Sequence, residues 1–324
     1  MAIIPQKTLF SWENDIENLG DLERLRIVME YMPDEELMVK LEDERGKGRN
    51  DYPVRGMWNA VLAGVIYQHA SAESLLRELS RNGQLRWMCG FLKGEIPTTD
   101  AMSRFLKKIM DHQEEIDKIF DKLVELLVKE LPGFGRHLAI DSKGISSLSR
   151  GYNKNRETDG RRDLDADKGV KTYRGKREDG TAWEKIKKWF GYKLHLIVDS
   201  EYELPVGYII AKASSSDIVE GRKLIKELEH KHPAILSKEE GKGICEEISA
   251  DKAYDAEDLI VMLWDEYGVK PVIDIRNCWQ DGEETKQLPG YENIVYDYTG
   301  NVYCYDGHGK RRQMVNGGFD RERQ

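Results

Sequence analysis

A chain of 324 residues, 40% hydrophobic and 34% charged, can bury a large α/β core and a further module, which excludes a small stapled scaffold. Its cysteines, Cys89, Cys245, Cys278 and Cys304, lie far apart with no C-x-x-C pair, so neither a disulfide framework nor a zinc ribbon is expected and a reducing cytoplasm fits. The formal net charge of -9 is not that of a uniformly basic nucleic-acid binder, but the cations are unevenly spread.

The start, M-A-I-I-P-Q-K-T-L-F-S-W, lacks the basic and apolar segments of a secretory signal, and no later stretch is apolar enough to span a membrane. Residues 1 to about 50 are acidic, with a short amphipathic helix around Leu22 to Met29 closed by Pro33. The run L-E-D-E-R-G-K-G-R-N-D reads as a linker. From Pro53 an apolar helix follows, then S-A-E-S-L-L-R-E-L, with Ser71 as N-cap and Glu73 paired to Arg77. A third helix starts at Thr98 or Thr99 and carries Arg104, Lys107 and Lys108 on one face. This succession fits either a helix-turn-helix DNA reader or an ordinary helical bundle. A longer helix, Glu114 to Leu131, ends at Pro132 and Gly133.

The period then changes to that of strands. R-H-L-A-I-D-S-K-G is a short apolar run stopping at Asp141. Between Arg150 and Lys193 lies a basic stretch, read as a loop, which includes Arg161, Arg162, Lys171, Arg174, Lys176, Lys187, Lys188 and Lys193, with Tyr173, Trp183 and Trp189 among them. Such a stretch either follows a phosphate backbone or is simply solvated. W-F-G-Y-K-L-H-L-I-V-D-S and L-P-V-G-Y-I-I-A-K-A form a hairpin. A helix capped by Ser216 or Asp217, a strand ending at Asp251, another helix and the strand V-K-P-V-I-D-I-R follow. The order matches an α/β fold with an RNase H-like mixed sheet. Residues about 276 to 308 add a β-hairpin that turns at Thr299 to Asn301.

Asp141 and Asp251 each terminate an apolar strand. Singly, each is most simply a cap of the following turn; side by side, the two form a divalent-cation site. Lys143 and Lys252 close behind them can neutralise phosphate or form surface ion pairs. His195 can meet phosphate or a metal-bound water, or pack inside the sheet. His230 and His232 suit a helix C-terminus better than a metal pair.

The succession A-I-D-S-K-G, G-Y-K-L-H-L-I-V-D-S, L-P-V-G-Y-I-I-A-K-A-S-S-S-D and I-S-A-D-K-A-Y-D resembles the catalytic core of bacterial insertion-sequence DDE transposases with a β-insertion. Pro53 to about Ile109 resembles the helical N-terminal domain that many of them carry. The resemblance implies a helical DNA-binding domain at 1–133 and an RNase H-like catalytic core at 134–324. In that core Asp141 and Asp251 would be the first two catalytic aspartates and would hold Mg2+ or Mn2+. The implied partners are double-stranded DNA, both transposon terminal inverted repeats and target DNA, and a second copy of the chain on paired ends.

The family's third ligand is a glutamate in Y-x-x-R-x-x-x-E-x-x-x-x-x-x-K, and no such motif occurs here; Glu322, the last acid, has the wrong spacing. The expectation is therefore a core cut short before that residue, with activity impaired. A non-catalytic DNA-binding remnant and an RNase H-like nuclease are the alternatives.

Overall fold

The structure, a computed structural model, describes residues 20–45, 52–92, 95–149, 163–177, 179–239, 241–279 and 281–315. The chain divides into two compact units, residues 1–129 and 130–324.

The first unit is helical: α1 (Leu22–Tyr31), α2 (Glu35–Arg45), α3 (Val54–Ile66), α4 (Ala72–Arg81), α5 (Gly83–Cys89), α6 (Thr99–Met110) and α7 (Gln113–Glu130). Local chemistry fixes several boundaries. Ser71 accepts from the Ser74 amide to start α4, and Thr98 from the Ala101 amide to start α6. The Glu73–Arg77 pair forms at 3.2 Å. The linker expected at Leu41 to Asp51 is corrected in part. Helix α2 runs on to Arg45 because Leu37, Met38 and Leu41 share its buried stripe. Helix α5 is an addition to the expected elements; Asn82 caps it and Gly90, in the left-handed conformation, ends it.

The second unit contains a six-stranded sheet of β1 (His137–Ser146), β2 (Asp167–Lys176), β3 (Ala182–Asp199), β4 (Pro205–Lys212), β5 (Glu247–Ala250) and β6 (Lys270–Ile273). Strand β3 pairs antiparallel with β1, β2 and β4, whereas β5 is parallel to both β1 and β6. Leaving β2 aside, the order β4-β3-β1-β5-β6 is an antiparallel meander joined to two parallel strands, the RNase H-like arrangement. Helix α8 (Asp217–Lys231) connects β4 to β5 and lies against β3 and β4; α9 (Glu257–Val261) and a π turn connect β5 to β6. Gly221 of α8 permits close approach to the sheet. A Cβ there would stand 2.9 Å from the Tyr254 ring and 3.5 Å from Ile140 Cδ1.

Two expectations change here. The basic loop is in its described part a two-stranded arm, β2 with the first half of β3, in ten consecutive pairs from Asp167↔Gly191 to Lys176↔Ala182. The single hairpin expected in the insertion is one part of a four-stranded antiparallel sheet of β7 (Lys286–Gln287), β8 (Ile294–Tyr296), β9 (Val302–Tyr305) and β10 (Arg311–Gln313). Its β8–β9 turn is held by Asp297, whose carboxylate accepts from Thr299, Asn301 and Tyr303. These bonds hold the Asp297 carboxyl far below the usual carboxylate range.

Candidate metal centre and nucleic-acid interface

The parallel register sets Ile140 of β1 beside Ala250 of β5. The next residue on each chain is therefore at the same level, on strands that run about 4.8 Å apart. Asp251 follows the last residue of β5, whereas Asp141, expected to terminate its strand, lies within β1, which runs on to Ser146 because it stays paired with β3 after β5 has ended. Side chains alternate along a strand, so Asp141 points away from the face on which Leu138 and Ile140 are buried. Both aspartates are exposed. Asp141 Oδ1 accepts from the Ser142 amide at 2.6 Å, and Asp251 Oδ1 from the Ala253 amide at 2.9 Å, where Asp251 caps a short 3-10 turn. Among the described residues, the second oxygen of each has no hydrogen bond or ion pair.

Another acid at a strand end shows the contrast. Asp199, also terminal on an apolar strand, is buried and accepts from the amides of Gly135, Glu201 and Tyr202. Its lone pairs are spent on the β3–β4 turn and on the Gly135 amide just ahead of β1, so it is a structural carboxylate. Asp141 and Asp251 keep lone pairs turned to solvent beside a like charge. That donor set suits a hard divalent cation, which takes carboxylate and water oxygens. Among the described residues no group of three or more His, Cys, Asp or Glu is placed to hold a metal, so the carboxylates stand as a pair.

Behind the pair lies a buried polar layer. His195, opposite Ser142 in the register, is fully buried, and its Nδ1 lies 3.7 Å from Asp217 Oδ1. Neither ring nitrogen has a hydrogen-bond partner. Burial lowers the His195 pKa, the Asp217 carboxylate opposes that shift, and the net direction is down. Tyr254 is also fully buried, and its pKa is pushed up by burial and then by the charges of Asp217 and Asp141.

Two residues expected to face DNA do not. His195 has no exposed surface, because odd-numbered positions of β3 from Gly191 to Asp199 point into the core. Lys193 is largely covered, its Nζ donating to Ser215 O at 2.8 Å and to Asp217 at 3.2 Å. Asp217, expected only as a cap, joins this layer; the S-S-S-D run before α8 is its sole trace in the sequence. Lys143 and Lys252 are exposed beside the carboxylates. Lys171, Lys187 and Lys188 are exposed on the arm. Arg174 and Lys176 occupy β2 positions, but their side chains, like Arg161 and Arg162 altogether, lie outside the described residues. In the helical unit Arg104 and Lys107 are exposed, whereas Lys108 is held by Leu41 O and Glu44.

Comparison with known proteins places these features in context. A family model described as Transposase DDE domain matches residues 132–317, and one described as Transposase domain (DUF772) matches residues 11–108. No curated protein matches. One solved structure, a cryo-EM piggyBac transposase synaptic complex with hairpin DNA, aligns at 12% identity with a TM-score of 0.38. The alignment covers 94% of this chain, and this chain spans 63% of that one's length.

Proposed function

The chain belongs to the DDE-domain transposases, and from that premise we propose that Asp141 and Asp251 are two of its catalytic carboxylates, acting on double-stranded DNA. Members of this family cleave DNA and transfer strands with divalent metal; for this chain Mg2+, with Mn2+ as substitute, is the proposed cofactor. The observation that supports the reading is the parallel register of β1 and β5, after which Asp141 and Asp251 stand at one level with a lone-pair oxygen each.

Asp141 and Asp251 would hold the cation. Their Oδ1 atoms are fixed by backbone amides, so the rotamers are set before any ion arrives, and Oδ2 is the free donor. A bound divalent ion supplies Lewis acidity at the scissile phosphate and eases deprotonation of the attacking hydroxyl. Lys143 and Lys252, exposed two and one residues after the carboxylates, would offset phosphate charge there. Their ammonium groups would draw the backbone toward the pair. His195, neutral and buried, and Tyr254 support the strand from beneath without touching substrate. The helical unit is proposed as a DNA-binding domain, with Arg104 and Lys107 of α6 available to phosphate. Terminal inverted repeats and target DNA are the proposed substrates, a homodimer on paired ends the working form, and the cytoplasm the compartment. Among the described residues no helix is long and apolar enough to cross a membrane.

Iron-mediated cleavage tests the centre directly. Fe2+ with ascorbate and peroxide should cut the polypeptide beside residues 141 and 251, Mg2+ should protect, and Asp141→Asn or Asp251→Asn should each abolish the cuts. In nicking assays on supercoiled DNA with Mn2+, either substitution should lower any rate by roughly 100-fold or more, since the ion stabilises the transition state by several kcal/mol. Unchanged iron cleavage in both variants would remove the aspartates from the metal centre.

A further inference from the structure

The arm of β2 and the outer half of β3 has no role in building the carboxylate pair, yet it runs for ten residue pairs with most of its side chains in water. An isolated two-stranded ribbon is marginal in water unless something covers it. Its two faces differ in chemistry. Directly opposed residues share a face, so one face carries Lys171↔Lys187, Tyr173↔Lys185, Gly175↔Trp183 and Gly169↔Trp189. Lys171, Lys185, Lys187, Tyr173 and Trp183 are all exposed there. The single acid on this face is Asp167, at the base, and Ser214 occupies it through both its amide and its hydroxyl. By register the opposite face also carries cations, Lys168, Arg174, Lys176 and Lys188, but there they alternate with Val170, Thr172 and Ile186, and Glu184 stands directly opposite Arg174.

The lysine face contains an uncompensated repulsion. Lys171 and Lys187 stand directly opposite each other, with Lys185 one step along the same face of β3. Like charges so placed destabilise a ribbon. In a chain whose net charge is -9, a surface with three lysines and no free acid is not a by-product of composition. The aromatic rings flatten that same face. Trp189 lies over Gly169 and Gly144, and Trp183 over Gly175, where any Cβ would be within 2.8 Å of the indole. Lys171 Nζ sits 5.8 Å from the Tyr173 ring centroid.

Position completes the case. Asp141 pairs with Leu196, and Lys187 lies nine residues earlier on the same strand. At about 3.3 Å per residue Lys187 stands up to roughly 30 Å beyond the carboxylates. That length corresponds to about nine base pairs of duplex at 3.4 Å each. A two-stranded ribbon also has the width that the major groove admits. We propose that the face of Lys171, Lys185 and Lys187 is a docking surface for the phosphates of double-helical DNA about one turn from the site of cleavage. The proposal rests on the DDE reading of Asp141 and Asp251 for its register with the DNA, but its binding chemistry is independent of cleavage.

The test is the salt dependence of binding by the full chain to a 30-base-pair duplex of random sequence. For every phosphate that a lysine no longer neutralises, the slope of log K against log salt should fall by about 0.9. Lys171→Gln, Lys185→Gln and Lys187→Gln together should flatten it by about 2.7, and Lys187→Gln alone by about 0.9. Lys168→Gln with Lys188→Gln, on the other face, should leave it unchanged. All are exposed positions, and melting temperature controls for folding. A wild-type slope retained by the triple variant, or an equal reduction in the opposite-face variant, overturns the docking face and leaves the metal centre standing. Tighter binding to single-stranded DNA than to duplex, abolished in the triple variant, also overturns it. A wild-type chain that binds no duplex overturns the DNA reading as a whole; absence of iron cleavage with intact binding overturns the metal centre alone.

Discussion

Two ionised carboxylates on neighbouring parallel strands repel each other, and the structure leaves that repulsion in place at Asp141 and Asp251. Without divalent ion, Asp141→Asn should raise the melting temperature, by roughly 1–3 °C, because it removes one of two like charges. Mg2+ should stabilise the wild type and do nothing for the variant, so differential scanning fluorimetry with and without metal separates the outcomes. Equal metal response in both would contradict the assignment. His195 gives a pH prediction of definite sign. Its folded pKa is depressed by burial, so the unfolded chain takes up the proton more readily. Its stabilising contribution is complete above the unfolded value, about 6.5. It is lost as pH falls from there toward the folded value. Melting temperature should therefore drop below about pH 6.5, and His195→Gln should show a shallower drop. Had His195 faced solvent or phosphate, the two curves would run parallel.

Elements with a buried stripe and a capping side chain are legible in the sequence, whereas elements lacking a core face are not. The helices started by Ser71 and Thr98 fall where their hydroxyls predict. The placement of Asp251 at a strand end follows from an apolar run that stops at an acid, whereas β1 continues five residues past Asp141, where its side chains are mostly exposed and leave no apolar run to read. Strand β2 and the outer half of β3 escape such a reading because both faces meet water, so W-E-K-I-K-K-W-F shows alternation without a buried side. The glycines opposite tryptophans are the signal available: Gly169 faces Trp189 and Gly175 faces Trp183. A strand glycine marks close approach of another group. The burial of His195 is hidden for a related reason, since nothing in Y-K-L-H-L states which parity faces the core. The arm therefore yields its own prediction. A side chain at position 169 would meet Trp189 Cζ2 at 2.3 Å, so Gly169→Val should displace the indole and destabilise by about 1–3 kcal/mol. A red-shifted tryptophan emission and altered near-ultraviolet circular dichroism are the expected signs; an unchanged near-ultraviolet spectrum would mean that the ring does not lie over the glycine.

At the scale of the whole chain, the two compact units have separate cores, and the chemistry is assigned to them unequally. The helical unit closes around Leu25, Met29, Leu41, Ala60, Leu79 and Phe91, with Asp34 fixing α2 to α3. Asp34 is buried, accepting from Arg55 at 2.6 Å and from Trp58 Nε1 at 2.5 Å. The carboxylate pair belongs wholly to residues 130–324. Each unit expressed alone should unfold cooperatively, because each buries its own apolar face. Within the 1–129 fragment Asp34→Ala should cost about 1–3 kcal/mol, since it leaves the buried Trp58 indole N–H without its acceptor and the Arg55 guanidinium to Glu35 at 3.2 Å. The 130–324 fragment, in turn, should retain the Mg2+-dependent rise in melting temperature, and its Asp251→Asn variant should lose it. Thermal melts of the two fragments decide this: a metal response in 1–129, or none in 130–324 while the full chain keeps one, would mean that ligands other than Asp141 and Asp251 dominate the site.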